Sequence, residues 1–257
     1  MNNSYISIKE NIKLLSILNL IILSYIYRNS YFIIFCITWC LNLVIIGNAR
    51  RFKRKNKIFY FLRMSLYFTP YSIPYIIGYR DNFNSDYFLV YSIIIIFIFC
   101  SWLFLNRNII KIMLSKQVVY DTKKRTKFEL FLLMYNFVGA SLCEELYFRC
   151  FILSFGNSVF MFSFLTLLNS VYFVLAHYLL PWSQEFKKKD YLNQLIFSII
   201  NSIIFISSKS IFYCIALHLL INSISILRIF KEYERHYINP NKYYFSNKKI
   251  YYEELEL

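Results

Sequence analysis

The chain has 257 residues, of which 58% are hydrophobic, 21% aromatic and only 17% charged; an ordinary soluble domain is roughly a quarter charged and under half apolar, so a soluble globular protein is excluded. Its formal charge of +15, from 29 Lys and Arg against 14 Asp and Glu, would suit a nucleic-acid binder until its distribution along the chain is followed. With 4 Gly and 4 Pro, and no ten-residue alternating strands between turn clusters, a transmembrane β-barrel does not fit.

Apolar residues gather into uninterrupted blocks of about 16 to 23, the length a helix needs to cross a ~30 Å hydrocarbon core. Eight spans are expected in chain order: 12–27, 31–47, 58–79, 88–105, 128–155, 158–180, 192–207 and 210–229. The fold class is therefore all-α, a polytopic membrane protein of about eight transmembrane helices bundled around an intramembrane polar site. Residues 1–127 read as an N-terminal four-helix membrane region with basic cytoplasmic connections, 128–230 as the core that carries the chemistry, and 231–257 as a cytoplasmic polar tail. Pro70 and Pro74 are expected to kink the third span. Trp102 and Trp182 read as interface anchors. The segment 106–127 and the tail are long enough for short surface helices, and His236 in the tail reads as solvated.

The segments between spans alternate in charge. Lys9 and Lys13, the cluster 50–57, the stretch 107–127, Lys187 to Lys189 and the tail after Arg228 are basic, whereas the other connections carry only Arg28, Arg80 and Lys209. Counting Arg63 with the second connection, 25 of the 29 basic residues fall on one side. The positive-inside rule then places a multi-pass protein in the cell membrane with both termini cytoplasmic. Such a rim attracts anionic lipid headgroups, so the partner it implies is the lipid bilayer and not nucleic acid. No A-x-A-like site follows the first block, which is expected to stay as a signal anchor. All six cysteines lie in or at the edge of spans, where they act as small apolar residues and imply no disulfide framework.

An ionised side chain at the centre of a span costs roughly 2.5 to 3.5 kcal/mol on insertion scales. The fifth span nevertheless contains Glu144, Glu145 and Arg149. Positions i and i+4 share a helix face, so Glu145 can pair with Arg149, while Glu144 is turned about 100° away and is left to find another partner. His177 follows Phe173 by four residues and His218 precedes Asn222 by four, both within apolar spans. Facing lipid would be far worse for these groups than facing one another, so they are expected to converge on one interior site. Glutamate can take a proton from water as a general base. Neutral His can share that water or ligate a metal, and two His with one carboxylate is a catalytic zinc arrangement. Asn and a second His can donate to an oxyanion.

The motifs Glu144-Glu145-x-x-x-Arg149, Phe173-x-x-x-His177 and His218-x-x-x-Asn222 resemble those of the CAAX protease and bacteriocin-processing (CPBP, or Abi) intramembrane proteases, over roughly residues 128 to 225. The resemblance implies an endopeptidase acting within the membrane on a peptide or membrane-protein substrate: a signalling or bacteriocin-type peptide, or a CAAX-like tail. By that likeness Glu144 and His177 activate the water, and His218 and Asn222 stabilise the oxyanion or complete a metal site. Arg149 with Glu145 sets the helix geometry, and Phe173 supports the site. Zinc held by Glu144, His177 and His218 and a metal-free glutamate mechanism both stay open, as does the oligomeric state. The residue after the motif arginine, commonly Gly in the family, is Cys150 here. A non-catalytic scaffold or bacteriocin self-immunity protein with the same fold is the alternative.

Geometry adds a demand. If the fifth and sixth spans form a hairpin turning near Gly156 and Asn157, Glu144 and His177 lie about 12 Å apart along the bundle at 1.5 Å per residue. The site closes only if the turn runs on to about Phe162 or one helix is displaced or tilted. A longer break after Gly156 than hydropathy suggests is therefore expected.

Overall fold

The computed structural model describes residues 2–28, 30–48, 57–76, 87–179 and 186–243. The basic connection at 50–56, Arg80, Pro181, Trp182 and the tail beyond 243 lie outside the described residues. Among the described residues the chain is helical with no strand: α1 Asn2–Tyr27, α2 Ser30–Asn48, α3 Lys57–Leu66, α4 Thr69–Ile76, α5 Phe88–Leu105, α6 Arg107–Met113, α7 Lys116–Tyr120, α8 Lys127–Glu145, a π-helical turn Leu146–Phe151, α9 Val159–Tyr178, α10 Lys188–Ser208 and α11 Ile211–Tyr233. A second π-turn Glu234–Ile238 and a 3₁₀ turn Pro240–Tyr243 follow.

The all-α membrane architecture holds, and five of these helices are long and apolar enough to cross a bilayer: Ile8–Tyr27, Phe88–Leu105, Val159–Tyr178, Lys188–Ser208 and Ile211–Ile238. The remaining expected spans depart from that standard for local reasons. The second is apolar over Ser30–Ile45 but shorter. The third is not one kinked helix but two, parted at Tyr67 and Phe68 ahead of Pro70, as a ring that removes a backbone donor would dictate. The fifth, α8, carries Lys127, Glu129, Glu144 and Glu145. The segment 106–127 does hold two short helices, α6 and α7. The last helix overruns its expected end at residue 229 because its far turn is clamped: the buried Glu232 takes Arg125 at 2.5 Å and Arg228 at 3.4 Å, and Arg235 donates to the carbonyls of Val119 and Thr122. His236 is half-buried there instead of solvated.

Caps explain where the helices of the second half begin. Thr126 Oγ1 accepts from the Glu129 N–H while Glu129 Oε2 accepts from the Thr126 N–H at 2.8 Å, a reciprocal pair that starts α8. Ser158 accepts from the Met161 N–H and starts α9. Lys209, at φ 53°, makes the left-handed corner between α10 and α11.

α8 lies along α11 and α9 along α10, while α8 and α9 meet chiefly through the π-turn. The N-terminal helices belong to the same packed body. Tyr172 donates to the Ser16 carbonyl at 2.6 Å, Trp39 Nε1 to Ser16 Oγ at 2.9 Å, and the Thr38 and Tyr147 hydroxyls meet at 2.5 Å. Around these bonds Phe35, Trp39, Tyr147, Phe148, Phe151 and Tyr172 form a wholly enclosed aromatic layer, whose edge-to-face pairs add about 0.5 to 1.5 kcal/mol each beyond their area.

Candidate active site

Glu145 is fully buried and holds two partners. Arg149 Nε, one turn along the same helix, lies 3.2 Å from Oε2, and His218 Nδ1 of α11 lies 2.7 Å from Oε1. A carboxylate only accepts, so the hydrogen of this bond is on His218 Nδ1. Arg149 is equally buried and sits over the Phe173 ring, 4.8 Å from its centroid. Isolated, each charge would be costly in the bundle; together they neutralise one another, and the cation–π contact supplies a further face. The π-turn starts right after Glu145, and its widened ladder frees the Leu146 carbonyl to accept from Tyr75 at 2.9 Å. Cys150 is fully enclosed on the same turn.

Glu144 points elsewhere, as the 100° step dictates. It is half-buried, and its Oε2 has no hydrogen-bond partner among the described residues. It lines a cavity of about 200 Å³ together with His177, His218 and Asn222, room enough for several water molecules. His177 Nδ1 lies 2.9 Å from the Phe173 carbonyl. A carbonyl only accepts, so this nitrogen carries its hydrogen and Nε2 is the free one. Asn222 Nδ2 donates to Ser141 Oγ at 2.9 Å and to the Phe137 carbonyl at 3.3 Å, tying α11 to α8. Phe173 is the hub, its ring near Phe148 at 5.3 Å, His177 at 4.7 Å and His218 at 6.4 Å.

The longer break expected after Gly156 is absent: α9 begins at Val159. Displacement of α9 meets the geometric demand instead. Gly156 lies against Phe162, so close that a Cβ on it would stand 2.5 Å from the ring, and Phe148 faces Phe173. Glu144 is one turn back from Phe148 and His177 one turn on from Phe173; after the chain reversal both steps run the same way, and the two residues come to one level. The hairpin estimate failed because it assumed that α8 and α9 pack side by side about their turn, whereas each takes another helix as its main neighbour.

Four cavity residues, Asn42 of α2, Tyr67 and Phe68 at the break between α3 and α4, and Tyr71 of α4, come from the half of the chain in which no motif is visible. The available signal was weak: Thr38 and Asn42 put two polar side chains at i,i+4 in an otherwise apolar run. Nothing distinguished Tyr71 among 24 tyrosines.

The residues expected to hold zinc do not fit a metal site as they stand. Among the described residues no group of three or more His, Cys, Asp and Glu side chains is placed to hold an ion. Glu144, His177 and His218 share the walls of a cavity, not a coordination sphere of about 2 Å radius.

Residues 126–224 match the family model described as type II CAAX prenyl endopeptidase Rce1-like. The match opens on the N-cap of α8 and closes two residues after Asn222, so it contains all three motifs. No curated protein and no solved structure matches the chain.

Proposed function

We propose, from the match of residues 126–224 to the type II CAAX prenyl endopeptidase Rce1-like family model, that the chain is an intramembrane endopeptidase of the CPBP/CAAX protease kind in which Glu144 activates water without a metal. The observation that carries this reading is the cavity itself. A carboxylate with an unpartnered oxygen, two imidazoles and an amide, from α8, α9 and α11, line one hollow with room for several waters inside a membrane helix bundle.

In the reaction, water stands between Glu144 and His177. Glu144 takes one proton and His177 Nε2 accepts a hydrogen bond from the other. The water oxygen adds to the peptide carbonyl carbon; the C–N bond then breaks, and the proton held by Glu144 passes to the leaving nitrogen. Glu145, anchored by Arg149, fixes the His218 ring at the cavity wall, and Asn222 locks α11 against α8. The substrate is a peptide whose scissile bond can enter the bundle, a prenylated CAAX-like tail or a signalling or bacteriocin-type peptide. The protein sits in the cell membrane with both termini in the cytoplasm, where its basic rim meets anionic headgroups.

The test uses the full chain in lipid nanodiscs and a quenched fluorescent peptide ending in a prenylated CAAX-type tail. The expected result is cleavage by the parent and its loss in Glu144→Gln, with an unchanged thermal midpoint. A folded Glu144→Gln variant that cleaves at the parent rate refutes the reading.

A further inference from the structure

Amide hydrolysis needs a hydrogen-bond donor where the carbonyl oxygen gathers charge, and an oxyanion donor is worth about 10²- to 10³-fold in kcat. The motif residues are short of one. Both amide hydrogens of Asn222 are already donated, to Ser141 Oγ and the Phe137 carbonyl. His218 gives its Nδ1–H to Glu145, and His177 gives its own to the Phe173 carbonyl. Nε2 is the nitrogen left over on each ring, and on a neutral imidazole it accepts instead of donating. Arg149 has unused N–H groups, but it is fully buried and does not line the cavity.

Tyr71 has the missing hydrogen. Its hydroxyl oxygen accepts from Asn42 Nδ2 at 3.1 Å. Among the described residues the hydroxyl hydrogen itself has no acceptor, although the side chain is buried at the cavity wall. An oxygen that accepts along one direction has its own O–H turned away from it, here away from Asn42. The ring is at the right height: it lies 5.1 Å from Tyr147 and 5.6 Å from Phe148, within a turn of Glu144, and it shares the cavity wall with Glu144. Asn136, which also lines the cavity, is two turns, about 12 Å, back along α8. The break in the third span supplies this placement, since α4 restarts at Thr69 and Pro70 and so delivers Tyr71 to the wall.

Resting on the endopeptidase reading above, we propose that Tyr71 is a catalytic residue whose hydroxyl donates to the oxyanion, and that Asn42 is the positioning residue that aims it. As water adds, the carbonyl π pair moves onto oxygen and the Tyr71 O–H hydrogen bond shortens onto it; when the C–N bond breaks, that pair re-forms the carbonyl and Tyr71 keeps its proton.

The test compares the full-length parent, Tyr71→Phe, Asn42→Ala, the double variant and Glu144→Gln in nanodiscs on the prenylated CAAX-type peptide. Tyr71→Phe is expected to lower kcat about 100-fold with KM unchanged. Asn42→Ala is expected to lower kcat about 10-fold, with no further loss when added to Tyr71→Phe, because it acts only through that hydroxyl. Tyr71→Phe with the parent kcat, beside an inactive Glu144→Gln, overturns the donor assignment alone. An active Glu144→Gln, or a parent that leaves the peptide intact, overturns the endopeptidase reading and this inference with it. Should Tyr71→Phe lose its cooperative unfolding transition, Asn42→Ala decides: reduced kcat at constant KM supports the assignment, and unchanged kcat overturns it.

Discussion

Replacing Glu145 with Gln tests how the site is held. Glu145 and Arg149 are both 0% exposed and 3.2 Å apart, and Glu145 also anchors His218 at 2.7 Å. Gln keeps the shape but leaves Arg149 as an uncompensated cation in the bundle. Breaking a buried pair in this way costs about 3 to 5 kcal/mol, and a lone arginine at the centre of a membrane helix about 2.5 to 3.5 kcal/mol. The two routes meet near 3 kcal/mol, about a 10²-fold loss in the folded to unfolded ratio. The double variant Glu145→Leu, Arg149→Met removes both charges and keeps the volume, so its stability is expected within about 1 kcal/mol of the parent. It still loses cleavage, because His218 has no acceptor to orient it. Equilibrium unfolding in mixed micelles with rising SDS fraction measures the first quantity, and peptide cleavage in nanodiscs the second. A double variant as unstable as Glu145→Gln would refute the charge-compensation argument; one that is stable and fully active would refute the orienting role.

Further expectations follow from single contacts. A Cβ on Gly139 would stand 2.7 Å from the Phe68 ring, so Gly139→Val should destabilise by about 1 to 3 kcal/mol through overpacking and shift Phe68 at the cavity wall, measurable as a lower unfolding midpoint. Thr126→Ala removes the reciprocal cap of α8 and should cost about 1 kcal/mol while kcat stays at the parent value. Asn222→Leu breaks the tie to Ser141 and Phe137; unfolding should register a loss of about 0.6 to 2 kcal/mol, with cleavage reduced as α11 loosens. Because Glu144, His177 and His218 form no coordination group, cleavage should survive a strong zinc chelator, and metal analysis should find well under one zinc per chain; stoichiometric zinc lost in His177→Ala would reverse that expectation.

The split between sequence and tertiary structure follows the range of the forces involved. Features that depend on neighbours a few residues apart are legible along the chain. Long apolar blocks must become membrane helices. The i,i+4 spacing pairs Glu145 with Arg149 and turns Glu144 away, and the motif residues must face inward because lipid would not solvate them. The Thr126 and Ser158 caps are equally local, since a side-chain oxygen reaches only the N–H groups of its own first turn. Which helices lie together is set by long-range packing. Hydropathy has no register, so nothing along the chain could reveal that α8 takes α11 as its neighbour, that α9 slides until Phe148 meets Phe173, or that His218 reaches Glu145 across 73 residues. Nor could it reveal that Asn222 spends both amide hydrogens on α8, or that a broken third span carries Tyr71 to Asn42 at the cavity wall. Those outcomes come from the fit of distant aromatic and polar side chains packed at contact distance, and that fit exists only once the bundle has formed.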